Sequence, residues 1–150
     1  MNEMQDAIEA FIALHERNFH PSPEELTAFR STLTREVEAG LQRGQTPPRT
    51  IIEGEGLRIR TACLADEPFM SAVEMEEDNR QWVGNWPLAW RVARMGDPDF
   101  LQCIIERTDG TPLGLLIFTD MTRTSEKLQL KRIALLDKGR GIGRTVLQLV

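Results

Sequence analysis

The sequence predicts an α/β (α+β) fold, a central sheet with flanking helices preceded by an N-terminal helical hairpin. Three observations carry this expectation. Apolar residues recur at helical spacing through the first forty positions, strand-like and helix-like segments alternate from residue 57 onward, and three glycines (Gly139, Gly141, Gly143) follow the last apolar run.

Residues 2 to 18 place Met4, Ile8, Phe11, Ile12 and His15 on one helical face, and Leu26, Phe29, Leu33, Val37 and Leu41 repeat the pattern. The second helix has a legible start: Ser22 can cap, Pro23 takes the first helical position, and Glu25 completes a capping box. Gly44 and the pair Pro47-Pro48 end it. The run RTIIEGEG, residues 49–56, reads as a linker with Gly54 and Gly56 as breakers, so the chain divides into a helix pair with linker over 1–52 and a second unit over 53–150.

In the second unit LRIRTA, from Leu57 to Ala62, alternates apolar and basic residues as a half-buried strand does. Asp66, Glu67 and Pro68 then open a helix through Phe69 and Val73 toward Asn79. Pro87 to Met95 is a second short helix, stopped by Gly96 and Pro98. FLQCIIER (residues 100–107) and PLGLLIFTDM (residues 112–121) form a hairpin turning at Asp109-Gly110. KLQLKRIALL, residues 127–136, alternates early and is continuously apolar later, as a central strand buried on both faces would be. A last helix begins near Ile142.

Composition bounds the function. With 150 residues, 41% hydrophobic and 27% charged, the chain builds one main core. The first ten residues carry three acids and no cation, and no apolar run reaches the length of a signal or membrane segment, which leads us to expect a cytoplasmic protein. Cys63 and Cys103 lack a C-x-x-C partner, and His15 and His20 lack companions at metal spacing, so neither a disulfide framework nor a metal site is expected. A net charge of −5 argues against a general nucleic-acid binder. Between Lys127 and Arg144, however, Lys127, Lys131, Arg132, Lys138, Arg140 and Arg144 face a single acid, Asp137. One basic site on an acidic chain points to a discrete anionic ligand.

The glycine loop, KGRGIGR, joins that strand to the last helix. A helix start offers unpaired N–H groups and partial positive charge, and glycines allow close approach of a phosphate. A dinucleotide fingerprint would require glycine at position 144, where Arg144 stands, and no glycine precedes a Lys-Ser or Lys-Thr pair as a Walker A loop requires.

Residues 57 to 150 resemble the first two-thirds of the GNAT superfamily of N-acetyltransferases, whose acetyl-CoA loop has the form [RQ]-x-x-G-x-[GA]. Lys138-Gly139-Arg140-Gly141-Ile142-Gly143 matches it with Lys in the leading place. The run LQLKRIALLDKGRGIGRTVL resembles the branch acting on protein N-termini and small amines. The resemblance implies a mixed central sheet and acetyl-CoA as cosubstrate, with no metal. It implies that the main chain of Ile133, Ala134 and Leu135 pairs with the pantetheine arm. The amides of Gly139, Arg140, Gly141, Ile142, Gly143 and Arg144 would hold the pyrophosphate, with charge from Lys138, Arg140 and Arg144.

The implied chemistry is direct attack of a small-molecule or peptide amine on the thioester, assisted by a carboxylate base. Glu76, Glu77 and Asp78, bordering the acceptor side, and Glu126 at the mouth of the strand are the base candidates. Trp82 and Trp86 would line the acceptor site, while Trp90 continues their spacing of four. Neither nucleic acid nor membrane is an implied partner.

Two features depart from the resemblance. The family's general acid is a tyrosine, and the chain contains none. The sequence also ends within the helix that the loop starts, which leaves a sheet edge open and the apolar side chains of IGRTVLQLV to be covered. A truncated chain, the N-terminal helices folded over the gap, or a second subunit in a homo-oligomer are the three alternatives. The other function class is a CoA-binding or protein-interaction module that keeps the fold without the chemistry.

Overall fold

The computed structural model describes residues 3–76, 79, 87–119, 129–136 and 141–150. The chain opens with helices α1 (Glu3–Phe19) and α2 (Pro23–Arg43), followed by strands β1 (Thr50–Gly54) and β2 (Leu57–Thr61). A 3-10 turn, Leu64–Asp66, leads into α3 (Glu67–Met75); then come α4 (Leu88–Ala93), β3 (Phe100–Arg107), β4 (Pro112–Thr119), β5 (Gln129–Leu135) and α5 (Ile142–Leu149). No helix among the described residues is long and apolar enough to cross a membrane.

Local signals account for most boundaries. The Glu25 amide donates to Ser22 Oγ at 3.1 Å and the Ser22 amide donates to Glu25 Oε1 at 3.0 Å, so the capping box satisfies two N–H groups at the start of α2. Gly44 caps the other end. The segment expected as a linker is a strand instead. Glu55 (φ 54°) and Gly56 (φ 77°) are both left-handed, the conformation of a two-residue I′ turn, and they fold β1 back on β2 with Gly54 opposite Leu57.

The five strands form one sheet in the order β1-β2-β3-β4-β5, each neighbouring pair antiparallel. The α+β class with an N-terminal helical pair is therefore what the chain adopts, while a parallel pairing is absent among the described residues. Sequence alternation divides the sheet into two faces. On one, Leu57, Ile59, Cys103, Ile105, Leu113 and Leu116 bury Ile142 and Val146 of α5. On the other, Ile104, Leu115, Ile117 and Ala134 bury Met70 and Val73 of α3.

The helical hairpin reaches the sheet through α4. Ile8, Ile12, Leu33 and Val37 pack around Ala89, Val92 and Ala93. At Gly40 the backbones approach so closely that a Cβ would lie 1.8 Å from the Val92 carbonyl oxygen. Among the described residues the pair docks on α4 and not on α5, so of the three alternatives for covering the last helix this one is not adopted, and Leu147 and Val150 are exposed.

A charged network fixes the start of α3 to the sheet. Arg60 forks onto both oxygens of Asp66 at 2.8 and 2.9 Å and reaches Glu106 at 3.1 Å, which also holds Arg58 at 2.8 Å. Hydrogen bonding to Asp66 raises the already high pKa of Arg60 further, against the opposing effect of burial.

Candidate functional site

β5 and the start of α5 form the site. In an antiparallel ladder the residues facing the neighbour with their main-chain groups alternate. The Leu136 amide donates to the Leu113 carbonyl at 2.9 Å, which puts Ala134 and Arg132 in the same phase, opposite Leu115 and Ile117. Ile133 and Leu135 therefore turn their N–H and C=O groups away from β4. No strand pairs with that side of β5 among the described residues, so an unpaired main-chain edge is presented there. The edge position differs from the central one expected for residues 127–136.

Asn79 occupies part of this edge. Its side-chain amide donates to Leu135 O at 2.8 Å and to Val73 O at 2.9 Å, joining the end of β5 to the end of α3. The Ile133 N–H and C=O and the Leu135 N–H are left facing outward.

The edge leads to the N-terminus of α5. Gly141 is its cap, exposed and left-handed at φ 73°, ψ 9°, and a Cβ built there meets nothing within 4 Å among the described residues. Its carbonyl accepts the Thr145 amide and hydroxyl, each at 3.0 Å. Ile142 is buried as the apolar anchor of the first turn, Gly143 packs against the Leu135 side chain, and Arg144 is exposed. A side chain at Gly141 would be strained, and the first-turn amides that follow it are the kind of groups that hold an anion.

The remaining expected residues separate into several groups. Lys138, Gly139, Arg140, Glu77, Asp78, Trp82, Trp86 and Glu126 lie outside the described residues. Glu76 sits just beyond α3, partly exposed, and its carbonyl accepts the Asn79 amide at 2.9 Å, which brings this part of the acidic run near the end of β5. Trp90 stands edge-on to Phe100 at 5.1 Å beneath the Arg94 guanidinium, a packing role. His15 stacks on Phe29 at 3.8 Å. Among the described residues no three His, Cys, Asp or Glu side chains gather as a metal set. Both cysteines are free thiols, and burial pushes Cys103 up to about 12, which leaves it protonated and inert.

A buried charge cluster was not foreseen. Glu74 of α3 pairs with Arg91 of α4 and with Arg132 of β5, and Arg91 also has Glu67 at 3.9 Å. Burial pulls Arg91 down to about 10, with Glu67 opposing and Arg132 adding to the shift, so the guanidinium stays charged at neutral pH. Arg132 therefore serves an internal carboxylate and not the external anion to which the basic run was assigned. The one sequence signal of Glu74 is its place four residues after Met70, on a face that is otherwise apolar.

A separate cleft of about 430 Å³ lies at the opposite end of the sheet, lined by Arg35, Glu36, Arg43, Arg94, Asp97 and Asp99 among others. Arg43 there donates to the Ala93 and Met95 carbonyls, each at 2.9 Å, as a strut between α2 and the end of α4.

Comparison with known protein families, with curated proteins and with solved structures yields no match.

Proposed function

We propose that the protein is an acetyl-CoA-dependent N-acetyltransferase of the GNAT type, acting on a primary amine of a small molecule or a protein N-terminus. The observation that carries this reading is the outward-facing main chain of Ile133 and the Leu135 N–H, which no described strand pairs with, on a strand whose Leu135 side chain lies against Gly143 in the first turn of the glycine-capped α5. An amide-bearing arm needs alternate N–H and C=O groups on an unpaired edge, and a pyrophosphate needs helix-start amides with room above them. Both lie on one chain segment here.

In this reading Ile133 and the Leu135 N–H hold the arm, and the amides from Gly141 to Arg144 hold the near part of the pyrophosphate, completed by Lys138, Gly139 and Arg140. The amine attacks the thioester carbonyl, the C–S bond breaks, and CoA leaves as the thiolate, which takes up a proton from solvent. A carboxylate among Glu76, Glu77 and Glu126 takes the proton lost by the amine, with Trp82 and Trp86 on the acceptor side. A cytoplasmic setting agrees with two free thiols.

The second reading is a CoA-binding or interaction module without the chemistry. It is favoured by the lack of tyrosine in the 150 residues, since a tyrosine protonates the leaving thiolate in the family that the sequence resembles. Free-thiol release from acetyl-CoA with a panel of primary amines separates the two. Amine-dependent release supports the transferase, whereas binding of acetyl-CoA without release from any amine supports the module.

A further inference from the structure

Glu74 is completely buried, and its two carboxylate oxygens are divided between two elements. One pairs with Arg91, itself fully buried on α4, and the other with Arg132 on β5. Removing such charges from water is costly, and a buried ion cluster adds little net stability over an apolar core of the same shape. What it does supply is discrimination, because any arrangement that separates the partners leaves a charge buried alone.

The arrangement selected here is a particular seating of β5. Ile117 pairs with Arg132 and Phe118 with Leu130, so Lys131 is an extra residue, a bulge immediately before the clamped arginine. Three residues beyond Arg132, Asn79 grips the Leu135 carbonyl. Thus α3 and its extension hold β5 at two points that bracket Ile133 and Ala134. A slip of one residue would exchange the faces of the strand and turn the main chain of Ile133 toward β4. The bulge is where such a slip would be absorbed.

We infer that Glu74 and Arg132 are a positioning pair that holds β5 in the register presenting the Ile133 main chain at the open edge. The ligand served by that edge rests on the acetyl-CoA reading above; the clamp itself does not.

Hydrogen exchange on the intact protein, combined with acetyl-CoA titration, tests this. Arg132→Met keeps Glu74 paired with Arg91 while releasing β5, and Arg132→Lys retains a charge. In Arg132→Met the Ala134 and Leu136 amides, which face β4, should exchange about tenfold faster while the β2–β3 ladder is unchanged. Acetyl-CoA affinity should fall in parallel, and Arg132→Lys should recover part of both. Unchanged exchange at Ala134 and Leu136 overturns the inference. So does an equal loss across β2–β3, which would reveal mere global destabilisation. If Arg132→Met does not fold, the same comparison is read from Arg132→Lys, where a partial, β5-confined loss is expected. Wild-type protein that binds no acetyl-CoA overturns the ligand reading, and the exchange result still decides the clamp.

Discussion

The Asn79 side-chain amide donates to the Leu135 carbonyl at 2.8 Å and to the Val73 carbonyl at 2.9 Å, so one buried side chain ties the end of α3 to the end of β5. Asn79→Ala leaves two carbonyl groups without that partner. Loss of about 1–3 kcal/mol in urea-induced unfolding is expected, on the scale of buried hydrogen bonds left unmade. An unchanged midpoint would show that the bonds contribute nothing net.

Gly40 is where α2 meets α4, and a methyl group added there would lie 1.8 Å from the Val92 carbonyl oxygen. The obstacle is backbone, so it cannot rotate aside. Gly40→Ala should destabilise by about 3 kcal/mol despite the better helix propensity of alanine, which alone would favour the variant by about 1 kcal/mol. Thermal unfolding followed by circular dichroism measures the sum, and a raised Tm would contradict the close approach.

Asp66 provides a pH test. Burial works to raise its carboxyl, but hydrogen bonds from Arg60 and the Cys63 amide, with the Arg60 charge, hold it below its usual value near 3.8. A carboxyl depressed in the folded state adds stability that is present above the unfolded value and lost as pH falls through the folded one. Unfolding free energy should therefore decline below about pH 4. In Asp66→Asn the protein should be weaker at pH 7 and its acid decline shallower; parallel pH profiles for the two proteins would rule this out.

Gly141 separates site from scaffold. Among the described residues Gly141→Ala meets no neighbouring atom within 4 Å, and its left-handed φ of 73° should cost only about 1–2 kcal/mol. Gly141→Glu sets a carboxylate at the helix start and should abolish acetyl-CoA binding in a protein that still folds. Calorimetry on the two variants, with circular dichroism as the folding control, checks it. Normal affinity in the glutamate variant would remove the loop from the site.

The parts of the fold that were legible in the sequence are those with short-range causes. Ser22 and Glu25 announce α2, and Asp109-Gly110 announces the β3–β4 hairpin. β1 is hidden in the sequence because Gly54 and Gly56 read as breakers, although Glu55 and Gly56 together take the two left-handed positions of a tight turn. The continuous apolar run in β5 suggested a central strand. In fact α3 and α5 contribute to covering its two faces, and that covering is independent of whether the strand lies at an edge.

The site was half legible for the same reason. The glycines at the start of α5 carry a local signal, and the main-chain phase of β5 follows once a single ladder bond is known. The cluster of Glu74, Arg91 and Arg132 joins residues far apart in sequence, and each taken alone reads as a solvated charge. Only packing of α3 and α4 on the sheet brings them together.

The acetyl-CoA reading stands or falls on titration of the wild-type protein by calorimetry. Saturable one-to-one binding with a Kd on the order of micromolar, about −8 kcal/mol, is expected, abolished in Gly141→Glu. Absence of saturable binding by a folded wild-type protein would contradict that reading.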